Sequence, residues 1–226
     1  MFKNLLNLLF PKVCSGCKSF LLGNENVICT KCRHEMPMTQ FHLNPKNEAV
    51  VKFYGRIPVE HVSCFLYFHK NGIVQEMIHS LKYRGHQEIG TLLGNWYAED
   101  LQTVDAIAEV DAIVPVPLHK KKLRQRGFNQ VTTFGEALSE VLSIPFDERV
   151  LLRKKYLKTQ SKKTFLERTA VADSVFGVDF DESHHNKHYL LIDDVLTTGA
   201  TLENCGRAIL SIPGARLSIV TIAMTH

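Results

Sequence analysis

The stretch Tyr189-Leu-Leu-Ile-Asp-Asp-Val-Leu-Thr-Thr-Gly-Ala-Thr201 decides the fold class. Its apolar run, Tyr189 to Ile192, is continuous rather than alternating, as a parallel strand buried on both faces requires. Two adjacent carboxylates, Asp193 and Asp194, end the run. Val195 and Leu196 lead into a small-residue turn of Thr197, Thr198, Gly199, Ala200 and Thr201, and Leu202 to Leu210 carries a helical pattern. In open parallel sheets ligands bind beyond the carboxyl ends of the strands. A helix N-terminus with converging backbone N–H groups favours a phosphate there. Carboxylates repel phosphate, so Asp193 and Asp194 suit the hydroxyls of an attached sugar or, through water, a magnesium ion. The stretch therefore predicts a sugar-phosphate site.

Working outward, three further apolar runs read as strands: Val62 to His69, Asp111 to Pro117 and Arg216 to Met224. Phe176 to Phe180 reads as a shorter one. Ile73, Val74, Met77, Ile78 and Leu81 recur at helical spacing. A second helix spans Ile89 to Val104 with Leu92, Leu93, Trp96 and Leu101 inward, and a third carries Val131, Phe134, Leu138 and Leu142. Strands alternating with helices predict an α/β domain with a mostly parallel sheet flanked by helices. Pro37 to Val59 has a weak pattern and reads as a connection. Asp181 to His188 reads as a polar turn on a loose surface loop, with a metal site on its three histidines as the alternative.

The 226 residues allow one ordinary domain and a small appendage, and 45% hydrophobic with 22% charged residues is a globular composition. No apolar run approaches the roughly 18 residues of a membrane span, and nothing marks the chain as secreted, so a cytoplasmic protein is expected. Met1 to Pro11 lacks a cleavage site. Leu5, Leu8 and Leu9 predict a short amphipathic helix packing on the protein itself.

Cys14-Ser-Gly-Cys17 and Cys29-Thr-Lys-Cys32 are two Cys-x-x-Cys pairs separated by eleven residues. Four thiolates at knuckle spacing make a closed tetrahedral site, and a structural zinc ribbon is expected over residues 1–45, with the α/β domain over 46–226. Iron suits the same sulfur cage. A closed site leaves no position for water, so its work is folding or partner contact. Cys64 and Cys205 are isolated and read as core residues.

Basic residues gather at Lys120, Lys121, Lys122, Arg124 and Arg126, and again from Arg153 to Lys163. The first group leaves a strand broken by Pro115 and Pro117, at the same kind of sheet edge as the acidic pair. That placement suits a pyrophosphate held by Val116, Pro117, Leu118, Lys122 and Arg126. Lys82, beside Tyr83 and Gly85, either closes over an anion or answers a helix dipole. Lys158, Lys162 and Lys163 lie in the second basic group, a stretch without apolar periodicity that reads as a loop.

The stretch from Tyr189 to Thr201 resembles the ribose-phosphate signature of the type I phosphoribosyltransferases. The resemblance implies that Asp193 and Asp194 bind ribose hydroxyls of phosphoribosyl pyrophosphate and that Thr197 to Thr201 wrap its 5′-phosphate. The cysteine pairs, Lys82-Tyr83-x-Gly85, Val114-Pro-Val-Pro-Leu-His119, Arg126-Gly-Phe-Asn-Gln130 and the signature occur in the order found in the ComF family. That family couples a zinc finger to a phosphoribosyltransferase-like domain and is associated with natural competence, the cytoplasmic handling of incoming single-stranded DNA. Lys122 stands where the family more often has arginine, which keeps the charge and loses the bidentate fork. Val171 replaces an asparagine often seen there. The resemblance implies zinc, magnesium with phosphoribosyl pyrophosphate, and a competence helicase or other DNA-processing partner.

Two functions stand at this point. One is a phosphoribosyltransferase, with Asp193 and Asp194 catalytic. The other is a non-catalytic module that senses phosphoribosyl pyrophosphate or a nucleotide and holds single-stranded DNA through Lys120, Lys121, Arg124, Lys162 and Lys163, with Tyr156 and Phe165 as candidate stacking residues.

Overall fold

The computed structural model describes residues 11–153 and 175–225. Four strands make one wholly parallel sheet in the order β1-β6-β5-β2: His61–Tyr67 (β1), Arg216–Met224 (β6), His188–Leu196 (β5) and Ala112–Pro115 (β2). The signature strand β5 is therefore internal. Its partners run from His188↔Arg216 to Leu196↔Met224 on one side and from Ala112↔Tyr189 to Pro115↔Ile192 on the other. A separate antiparallel pair joins Leu151–Arg153 (β3) to Phe176–Val178 (β4), so the Phe176 strand stands outside the main sheet.

The continuous apolar run of β5 is explained by two cores, one on each face. Leu190 and Ile192 face a core built with the helices Ile73–Tyr83 (α3), Glu88–Leu101 (α4) and Thr132–Leu142 (α7). Tyr189 and Leu191 face the other, built with the helices Glu48–Val51 (α2) and Ala200–Ile209 (α8) and with the β3-β4 pair. Alternation along the strand then sends Asp193 and Asp194 to opposite faces.

Helix α4 differs from expectation in its rotation. Leu92 and Trp96 are only half-buried, while Tyr97 is fully enclosed. The cause is a pair of glycines. A Cβ on Gly90 would lie 2.1 Å from Thr133 Oγ1, and one on Gly94 would lie 2.7 Å from both Ala137 Cβ and the Phe134 carbonyl. The smooth side of α4 meets α7, and Trp96 turns outward, where the Arg33 guanidinium lies 5.1 Å from its ring centroid.

The segment expected to be a mere connection is structured. It holds α2, capped by the Asn47 side chain, which accepts from the Ala49 and Val50 N–H groups. Phe53 and Ile57, just beyond, are buried in the core beneath α8. The cysteine module, with a single bridge Val13↔Phe20 and the short helix Thr30–His34 (α1), packs into the α3 face. Gly16 is required by close approach, since a Cβ there would stand 2.8 Å from Ile73 Cγ2. The left-handed residue of that turn is Lys18, with φ 66°. The expected helix over residues 1–10 lies outside the described residues. Among the described residues no helix is long and apolar enough to cross a membrane.

Candidate ligand site at the carboxyl end of the sheet

Asp194 is the junction of three sequence-distant segments. Its carboxylate lies 2.8 Å from Lys82 Nζ at the end of α3, and it accepts a 2.8 Å hydrogen bond from Gln130 Nε2 just before α7. Gln130 in turn accepts a 2.7 Å hydrogen bond from the Arg126 guanidinium, at the end of the basic helix Lys120–Arg126 (α6). Arg126 lies 5.0 Å from the centroid of the Tyr83 ring. Lys82, Arg126 and Asp194, expected to share one ligand, thus share one cluster, whereas Asp193 faces away from it. Neither local sequence nor helix propensity brings Lys82 to Asp194; the parallel order of the strands does.

Asp193 projects toward α8 and is half-buried. It accepts a hydrogen bond of 2.8 Å from the Asp194 backbone N–H. Burial, and then the Asp194 charge, push its carboxyl well above the usual carboxylate range, while Lys82 and Lys122 pull the other way. Lys122 itself is exposed on α6, as are Lys120, Lys121 and Arg124. Val116 is buried, donates to the Ile192 carbonyl at 2.9 Å and accepts from Asn129 Nδ2 at 3.0 Å; Pro117 and Leu118 are half-buried beside it. This ties the turn after β2 to the signature strand. Lys162 and Lys163, with Lys158, Tyr156, Phe165 and Val171, lie outside the described residues.

The small-residue turn follows β5 directly. Thr197, Thr198, Ala200 and Thr201 are exposed, and Gly199 caps α8 in a left-handed conformation with φ 79°, where a side chain costs about 1–2 kcal/mol. Behind the turn stands Arg56, which the sequence did not single out. Its guanidinium donates to the carbonyls of Thr198 and Lys52, each at 2.9 Å, and pairs with Glu203 at 2.6 Å. Glu203 sits in the first turn of α8, where an anion competes with a phosphate. Hydrogen bonding from Arg207, with the Arg56 charge, holds its carboxyl below the usual range. Gln130 ends the Arg126-Gly-Phe-Asn-Gln130 motif with no charge to mark it, and Arg56 lies in a stretch whose apolar pattern is weak, so nothing local flags either.

The second candidate centre is the cysteine module. The sulfurs of Cys14, Cys17, Cys29 and Cys32 all lie within 4.8 Å of one another. A tetrahedral ion with metal–sulfur bonds of about 2.3 Å sets its sulfurs about 3.8 Å apart, and Cys17 Sγ and Cys29 Sγ are already at 3.6 Å. Backbone N–H groups of Gly16 and Cys29 donate to Cys14 Sγ at 3.3 Å, and that of Cys32 to Cys29 Sγ at 3.4 Å, as befits sulfurs carrying negative charge. The residues fit one thiophilic ion. Among the described residues this is the only such group, and the histidines of 181–188 are not part of one. His184 instead pairs with Asp181 at 2.9 Å, and His188 is buried against Ser218.

Curated proteins place the chain further. It is 28% identical over 214 residues to the competence protein ComFC of Bacillus subtilis, covering 84% of this chain and 81% of that protein. The chain is thus similar to ComFC over most of its length. The same likeness extends to competence protein F of Haemophilus influenzae, 31% identical over 98 residues and 43% of each protein. It extends also to the DNA utilization protein YhgH of Escherichia coli, 25% identical over 152 residues and 66% of each. No protein-family model matches. Among solved structures, this chain overlaps the adenine phosphoribosyltransferase of Leishmania tarentolae at 16% identity and a TM-score of 0.37, over 63% of this chain and 73% of that one. It overlaps the UMP synthase of Leishmania donovani at 17% and 0.38, over 62% and 24%. The parallel strand order and the site geometry, not these loose overlaps, carry the reading that follows.

Proposed function

We propose that this chain binds phosphoribosyl pyrophosphate with magnesium at the carboxyl end of its sheet and transfers the phosphoribosyl group to an acceptor. One observation carries the proposal: Lys82, Arg126 and Asp194, from three separate motifs, meet in one hydrogen-bonded cluster beside the Thr197–Thr201 turn. The division of labour follows from charge. The turn, at the N-terminus of α8, takes the 5′-phosphate. Asp193 and Asp194 take the ribose hydroxyls, and Lys82, Lys122 and Arg126, with the Val116–Leu118 turn, take the pyrophosphate. Asp193 and Asp194 would hold magnesium, directly or through water, and the ion would supply charge neutralisation for the leaving pyrophosphate. Displacement at the anomeric carbon passes through a cationic sugar, so the protein's contribution is positioning and electrostatic stabilisation, with no protein nucleophile needed.

Zinc is the ion proposed for the four cysteines, in a closed structural site. The relatives' names, competence protein and DNA utilization protein, support a setting in competence or DNA use; a cytoplasmic location and a competence helicase as partner complete the proposal. The outward basic face of α6, with Lys120, Lys121 and Arg124 exposed, favours a second reading in which the same chain holds single-stranded DNA without catalysis. Pyrophosphate release from the labelled sugar donor across a panel of nucleobases and amines tests the first reading. Calorimetric binding of the donor with no turnover for any acceptor would replace the enzyme by the binding module. No binding at all would remove the ligand assignment.

A further inference from the structure

We propose that Gln130 is a positioning residue that locks the carboxylate end of the ligand site to its cationic end. The inference rests on the phosphoribosyl pyrophosphate reading for its functional consequence, but its geometry stands without a ligand. Gln130 is 5% exposed, so neither half of its amide is left to water. One end faces Arg126, which can only donate, and the other faces Asp194, which when ionised can only accept. A single orientation of the amide satisfies both: oxygen to the guanidinium, nitrogen to the carboxylate. No other unbranched side chain of this length offers an acceptor and a donor together at neutral pH. Glutamate would serve Arg126 and repel Asp194; leucine or methionine would serve neither.

The consequence is a fixed spacing between the group assigned to the ribose and a group assigned to the pyrophosphate. Arg126 and Asp194 are 68 positions apart in the sequence (194 − 126) and on different elements, yet each is aimed by the same buried amide. Lys82, the other partner of Asp194, is an ammonium on a flexible stem and carries no comparable directionality. It can move to a phosphate when a ligand takes over Asp194, while Gln130 keeps the carboxylate aimed.

The test begins without ligand. A double-mutant cycle of Arg126→Met and Asp194→Asn, read by urea unfolding, should show a coupling of at least about fivefold in the unfolding constant. In a Gln130→Leu background the coupling should collapse. Equal coupling in both backgrounds overturns the proposal. Calorimetry with phosphoribosyl pyrophosphate and magnesium should then show affinity lowered about tenfold or more by Gln130→Leu, the scale of a lost hydrogen bond to a charged group. Unchanged affinity also overturns it. If the native chain does not bind this ligand while the coupling depends on Gln130, the ligand assignment fails and the relay stands.

Gln130→Glu supplies a readout that a merely space-filling role would not move, and it serves if the leucine variant does not fold. Asp194 and Arg126 face residue 130 directly, Lys82 and Asp193 lie behind Asp194, and Tyr83 lies behind Arg126. Glutamate fills the same space and keeps an acceptor for Arg126 but has no donor for Asp194. Its affinity for phosphoribosyl pyrophosphate with magnesium should therefore fall at least as far as that of Gln130→Leu. Native affinity in Gln130→Glu overturns the proposal.

Discussion

Replacing Lys82 by methionine should expose how strongly the free site depends on its internal ion pair. Lys82 Nζ lies 2.8 Å from the Asp194 carboxylate, with side chains only 21% and 9% exposed. At an effective dielectric of about 20, unit charges at that separation attract by about 6 kcal/mol. Desolvation of both groups removes most of this, and Gln130 continues to serve Asp194 after the lysine is gone. The expected net loss is about 2–3 kcal/mol of folding stability, chiefly the cost of a carboxylate left buried with one donor. In an Asp194→Asn background the same Lys82→Met change should cost less than about 0.5 kcal/mol, because no charge remains to be stranded. Urea unfolding of the four proteins measures both numbers, with the slope m as a check that the unfolded state is unchanged. Losses that add within about 0.5 kcal/mol would refute the reasoning, since uncoupled sites behave that way.

Other outcomes follow from the same geometry. Burial and the Asp194 charge raise the Asp193 carboxyl above its ordinary range, so this group's stability is fully present below that range and is lost as the pH rises through the raised value. Asp193→Asn should therefore gain stability on the native chain from acid toward neutral and mildly alkaline urea titrations, and a difference independent of pH would contradict this. Gly199→Ala should cost about 1–2 kcal/mol for its φ of 79° alone, since the new Cβ would meet only ordinary contacts, 3.4 Å from the Phe53 ring; thermal unfolding checks it, and an unchanged melting temperature would contradict it. Elemental analysis should find one zinc per chain, and serine at Cys29 should remove it. Its loss should lower the stability of the whole chain, not only the N-terminus, because Cys29 shares a core with Met77 and Ile78; an unchanged melting temperature would contradict that. Alanine at Lys120, Lys121 and Lys122 should weaken strand binding and flatten its salt slope, whereas an unchanged slope removes DNA contact from α6.

Much of the fold was legible because its signals are local. The unbroken Tyr189–Ile192 run predicts burial on both faces, and β5 has a core on each. Periodicity placed α3 and α7, and the spacing of the cysteines predicted a cluster of four sulfurs. The rotation of α4 escaped, because a glycine face is packing surface only when a partner helix arrives to use it. The segment before β1 escaped as well. Ala49, Val50, Phe53 and Ile57 do stand at helical spacing, but the run is short and lies between polar residues and prolines, and Arg56 has no apolar role. Yet Phe53 fills the core under α8 and Arg56 braces the turn at Thr198.

The sequence by itself determined which chemical groups this protein owns: an acidic pair ending a buried strand, a small-residue turn before a helix, a basic run after broken prolines, and four thiols in knuckle spacing. Each is written in consecutive residues, where strand burial, turn chemistry and ligand spacing are set. Only the tertiary structure decided how they combine. Parallel pairing brings the carboxyl end of β2 beside that of β5. The strand's alternation then gives Asp193 to the α8 side and Asp194 to Lys82 and Gln130. Those contacts join residues far apart in the chain, and no local propensity encodes them. Burial within a particular strand order turns two neighbouring aspartates into groups with different partners.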